Sequence, residues 1–139
     1  MSRENDETIR HLYDRLMTSG ALQDSAAAEI VPEFFDPAVE VRQSSSVLGT
    51  AGIFRGYRGL AEAAREVVQA FADVDFAPER VEASGDHVAV AVRMRATGRL
   101  SGAAVEMHLG HVWTLRHGRV MRFEVFDSPA DAFGSVGLD

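Results

Sequence analysis

Between Glu7 and Met17 the apolar residues Ile9, Leu12, Tyr13, Leu16 and Met17 recur at i, i+3, i+4, i+7 and i+8, one stripe of an amphipathic helix that Gly20 ends. A second helix is predicted from Asp24 as N-cap, carrying Ala27, Ile30 and Val31 before Pro32 and the pair Phe34 and Phe35. Ala38 to Arg42 alternates like a strand. The polar stretch Gln43 to Gly52 reads as a loop leading to Phe54 and Gly56. A third helix then runs from about Arg58 to Ala72, with Leu60, Ala64, Val67 and Phe71 inward.

The period changes in the second half. His87 to Thr97, Val105 to Arg116 and Arg119 to Asp127 are long segments rich in Val, Met and Phe, separated by turns that contain Gly, and they predict three antiparallel strands. Val74 to Glu82 is a fourth, joined to the next by Gly85-Asp86, where Gly supplies a positive φ at the first central position of a turn. Ser128-Pro129-Ala130-Asp131 reads as an N-cap followed by Pro at the first helical position, so a short helix ends the chain. Helices followed by a meander is an α+β order, distinct from the strand-helix alternation of a parallel sheet.

Composition bounds the function. With 139 residues and 46% apolar content, residues 1–139 are expected to form a single domain. The net charge of -7, without a long basic cluster, argues against a nucleic-acid partner. With no cysteine there is neither a disulfide nor thiolate chemistry. No apolar run approaches the roughly 18 residues of a membrane span, and Met1 to Arg10 is polar and acidic, so a cytoplasmic protein without a membrane partner is expected.

Phe54-Arg55-Gly56 before the third helix, Val112-Trp113-Thr114-Leu115-Arg116-His117-Gly118-Arg119-Val120 in the meander, Phe126-Asp127 at its end and Asp131-Ala132-Phe133 beyond it carry a resemblance. In this order, over nearly the whole chain, they resemble the SnoaL-like families of the nuclear-transport-factor-2-like superfamily. The resemblance implies a curved antiparallel sheet forming a cone, closed by three N-terminal helices around a small-molecule pocket. Polyketide cyclases, ketosteroid isomerase, limonene epoxide hydrolase and scytalone dehydratase share that fold with members of no known chemistry, so fold alone does not settle function.

His117-Gly118 suits a two-residue hairpin turn, which would set Arg116 against Arg119. Counting back from that turn pairs Trp113 with Arg122, His111 with Glu124 and Leu109 with Phe126. Period two then gathers Met107, Leu109, His111 and Trp113 with Arg122, Glu124 and Phe126 on one face. On a concave apolar face a carboxyl has its pKa raised, which makes Glu124 a candidate acid/base assisted by His111. The resemblance agrees, because SnoaL-type cyclases carry a His and an Asp on these two strands; here the second is Glu, one methylene longer. The competing reading is a cross-strand ion pair that only stabilises the sheet.

Arg93 and Arg95 share a face of their strand and could hold an oxyanion bidentately, or lie on a solvated rim. The loop Gly98 to Gly102 does not fix their register, and only resemblance to the epoxide hydrolases turns them inward, with Arg95 standing where those enzymes have an Asp. Tyr13 aligns with the oxyanion-binding tyrosine of ketosteroid isomerase, yet it also sits in the middle of the first helical stripe, as a core residue would. No carboxylate near Val41 and Arg42 matches the isomerase base. His108 and His111 point to opposite sides of a strand and make no metal site.

Two functions compete on this basis. One is a cofactor-free cyclase, isomerase, dehydratase or hydrolase acting on a small apolar or aromatic molecule; the other is a non-catalytic ligand-binding or dimerisation domain. The counted register also leaves Met121, Phe123 and Val125 on the outer face, an apolar strip expected to join two copies into a homodimer.

Overall fold

The stripe read from Ile9 to Leu16 is the inward face of α1 (Ser2–Ser19), where Ile9, Leu12 and Tyr13 are buried. The computed structural model describes residues 2–19, 27–43 and 52–138. The ends assigned to Gly20 and Asp24 and most of the loop after Gln43 lie outside them. α2 (Ala27–Phe34) leads directly into β1 (Phe35–Gln43), and β2 (Gly52–Arg55) leads into α3 (Gly56–Ala70). Four strands follow in sequence: β3 (Phe71–Ser84), β4 (His87–Gly98), β5 (Ala104–Arg116) and β6 (Arg119–Phe126). α4 (Pro129–Ser135) closes the chain, its N-terminus capped by the Ser128 hydroxyl, which accepts from the Asp131 N–H at 3.2 Å.

The fold is α+β, with one curved, open six-stranded sheet in the order β2-β1-β6-β5-β4-β3. The meander is antiparallel throughout, but β1 runs parallel to β6, which corrects the expectation of a wholly antiparallel sheet. Parallel neighbours need a long crossover, and β2, α3 and the strands β3 to β5 lie between these two. β2 is a four-residue edge strand that begins at Gly52, the last residue of the expected loop, and Gln43, the loop's first, ends β1. Phe71, assigned to the third helix, begins β3 instead.

On the inner face, α1, α2 and α3 cover the alternate residues Val88, Val90 and Val92 of β4 together with Trp113, Leu115 and Val120. On the outer face α4 packs Ala132 and Phe133 against Ala89 and Val112. That contact depends on a missing side chain: a Cβ at Gly110 would lie 2.4 Å from Ala132 Cβ and 2.6 Å from the Ser128 carbonyl oxygen. The helix therefore rests on bare backbone. Gly110→Ala should destabilise the protein by about 1–3 kcal/mol through this overlap. Denaturant unfolding measures it, and unchanged stability would mean that α4 is not held there. No helix among the described residues is long and apolar enough to cross a membrane.

Candidate functional site

The geometry of the inner face is decided in the β5–β6 hairpin. His117 and Gly118 both take positive φ, +53° and +76°, as the two central residues of a type I′ turn must, and Arg116 stands opposite Arg119. Leu115 pairs with Val120, but Thr114 pairs with Arg122, leaving Met121 as an extra residue in a β-bulge. Because side chains alternate with period two, this single insertion exchanges the faces of everything beyond it. Trp113 is opposite Phe123, His111 is opposite Val125, and Glu124 lies opposite Val112 on the outer face.

The bulge dissolves the expected His111–Glu124 pair. Glu124 neighbours Arg42 of β1 outside the cavity and cannot act there as acid or base. Arg122 also faces outward, 3.8 Å from Glu40, whose carboxylate accepts a hydrogen bond from Arg42 at 2.5 Å and is held below its usual pKa by it. Phe126 packs under α4. Arg93 and Arg95 are outward as well, opposite His108 and Glu106, with Arg95 Nε donating to Glu106 at 2.9 Å. Leu109 and Met107 do point inward, but they belong to a packed cluster around Met94 rather than to the cavity wall. Phe123 and Val125, two of the three residues of the supposed outer strip, line the cavity, so the apolar surface that motivated a homodimer does not exist as drawn.

What the structure does bring together is Tyr13, His111 and Trp113. They line a cavity of about 170 Å³ between the sheet and α1, α2 and α3. Trp113 Nε1 can only donate, and it does so to Tyr13 Oη at 3.0 Å. Tyr13 Oη lies 2.6 Å from His111 Nδ1. We assign the phenolic hydrogen to that contact, so that His111 accepts at Nδ1 and carries its proton on Nε2. Packing holds the chain in place: Phe123 stacks on Trp113 at 4.0 Å between ring centroids and meets His111 edge-on at 4.8 Å.

Burial makes this network neutral. The His111 side chain has no charged partner among the described residues, and desolvation pushes its pKa down to about 3. The Tyr13 hydroxyl is raised above its ordinary value by the same burial. No carboxylate, Arg or Lys is found among the described residues of the cavity wall.

Gln43 and Tyr57 complete the polar lining among the described residues, and neither was singled out in the sequence. Tyr57 donates its hydroxyl to the Phe35 carbonyl at 2.8 Å, tying α3 to β1. Gln43 is 7% exposed, and its side chain makes no hydrogen bond among the described residues. The polarity of Arg122 and Glu124 against the apolar Phe123 and Val125 was a usable signal for the inward pair. No local signal marks Gln43.

Many solved structures share the fold, among them three at identities that speak for fold alone. An NTF2-like protein of unknown function from Burkholderia pseudomallei superposes with a TM-score of 0.75 at 23% identity, over 99% of each chain. TerC, co-crystallised with polyporic acid, gives 0.73 at 23% identity, over 96% of this chain and 97% of its own. A candidate SnoaL-like polyketide cyclase from Jannaschia sp. CCS1 gives 0.76 at 18% identity, over 100% and 95%. No curated protein matches the chain significantly. The profile of the SnoaL-like domain matches residues 9–123, most of the chain, and the protein belongs to that family.

Proposed function

We propose that this domain binds a small, uncharged, mainly apolar molecule, a single substituted ring in size, through one hydrogen bond from His111 Nε2–H. The observation that carries the reading is the neutrality of the cavity: its one titratable imidazole is held unprotonated down to about pH 3, and no charged side chain lies on the described wall. A ligand carboxylate would have to shed its water without gaining a counter-charge. Size points the same way, since an apolar cavity of about 150 Å³ holds benzene and this one measures about 170 Å³.

Acid–base turnover finds less support. Glu124 is outside, and an imidazole with so low a pKa is a poor base near neutrality. That TerC has been crystallised with polyporic acid supports a ligand in this fold, though 23% identity does not carry the ligand across.

Calorimetric titration at neutral pH with acetophenone and with benzoate, which match in size and differ in charge, tests the proposal. Acetophenone should bind at least tenfold more tightly. Equal or tighter binding of benzoate, or no binding of either, would refute it.

A further inference from the structure

The neutral cavity has a second polar end. β6 is flanked by β5 and β1, and the two registers place His111, Val125 and Gln43 in one row across the three strands. All three side chains line the cavity. Adjacent strands lie about 4.8 Å apart, so the backbones of His111 and Gln43 are separated by roughly 10 Å with only the apolar Val125 between them. A molecule lying along this row meets a polar group at each end.

At one end Nδ1 of His111 is occupied by Tyr13, which leaves Nε2 for a ligand. At the other, Gln43 is more than nine-tenths buried as a residue, and its amide has no protein partner among the described residues. Neither group is sealed into the protein, because the one fully buried side-chain nitrogen or oxygen without a partner among the described residues is Arg93 Nε, on the outer face. A buried amide without partners is disfavoured, and a ligand that satisfies it gains accordingly.

We propose that Gln43 is the specificity-determining residue of the site and that the ligand is bifunctional. Such a ligand is a neutral ring with an acceptor oxygen for His111 and a second hydrogen-bonding atom at the opposite end for the Gln43 amide. The inference rests on the cavity being a neutral ligand site, and it adds which second group the ligand carries. An amide offers both a donor and an acceptor, so it accommodates a hydroxyl or a carbonyl and discriminates against a methyl.

The probes are 4-hydroxyacetophenone and 4-methylacetophenone, equal in size and different only in the group at the far end. Against the wild-type protein the hydroxyl compound should bind about tenfold more tightly, the scale of one neutral hydrogen bond gained in a buried site. Gln43→Leu should reverse the preference between these two probes; Gln43→Met serves the same purpose should the leucine variant fold poorly. Equal affinity of the two probes for the wild type, or a hydroxyl preference that survives in Gln43→Leu, would overturn the role of Gln43 while acetophenone binding still stands. Failure of all three ketones to bind removes the neutral site and this inference with it.

Discussion

Acidification from about pH 7.5 to about pH 4.5 should lower the stability of the fold by roughly 2.5 kcal/mol through His111 alone. The unfolded chain takes up a proton on this imidazole near its model value of 6.5, whereas the folded protein resists until about 3. Between those values the unfolded state binds more protons, so the stability contributed by neutral His111 is present above 6.5 and drains away as pH falls, at about 1.4 kcal/mol per unit. The group is 3% exposed, so solvent does not screen the penalty appreciably. Glu40 and Glu106, held below the carboxylate value of 4.5 by hydrogen bonds from Arg42 and Arg95, begin to add their own losses only at the acid end of this range and below it. Urea unfolding across this range should show the slope, and His111→Gln, which keeps an acceptor for Tyr13 and cannot titrate, should flatten it. A wild-type stability that stays level down to pH 4.5 would mean that the imidazole is solvated or protonated in the fold.

The parts of this molecule that were legible in its sequence are those settled by neighbours in the chain. The Ile9–Leu16 stripe, the Ser128 cap and the turns at Gly85-Asp86 and His117-Gly118 each rest on a few adjacent residues, and each is where the pattern placed it. The register of β6 was also written locally, but two signals disagreed. Counting from the turn placed Glu124 beside His111; the alternation of Arg122 and Glu124 with Phe123 and Val125 placed the aromatic inside. The structure follows the alternation, since burying two charged groups without partners would cost far more than the one unpaired position of a bulge at Met121.

The remainder was not local. Gln43 reaches the site only because β1 lies parallel to β6, a pairing between segments separated by most of the chain. Nothing in the polar stretch around Gln43 distinguishes a loop residue from one on a cavity wall. Tyr13 posed the opposite difficulty, because its place in an apolar stripe was compatible with simple packing. Its hydroxyl turns out to be buried and bonded on both sides, which a stripe of apolar spacing does not announce.

That hydroxyl should account for the largest single loss of stability among side-chain polar groups here. Tyr13→Phe keeps the ring, its parallel stack on His111 at 6.0 Å and its edge contact with Trp113 at 5.6 Å, and removes one oxygen. Two buried partners then lose their hydrogen bonds together: the Trp113 N–H and the His111 Nδ1 lone pair. Each such orphan costs about 1–3 kcal/mol, so a loss of about 3 kcal/mol is expected, which in a domain of this size lowers Tm by about 10 °C. Removing an acceptor of the hydroxyl beforehand should soften the effect. In a His111→Leu background only the Trp113 N–H is left stranded, and Tyr13→Phe should then cost at least about 1 kcal/mol less than in the wild type. That coupling separates a hydrogen-bonded relay from a ring that merely fills space. A Tyr13→Phe protein within about 0.5 kcal/mol of the wild type, the range of an ordinary surface change, would show that the three side chains pack without depending on one another.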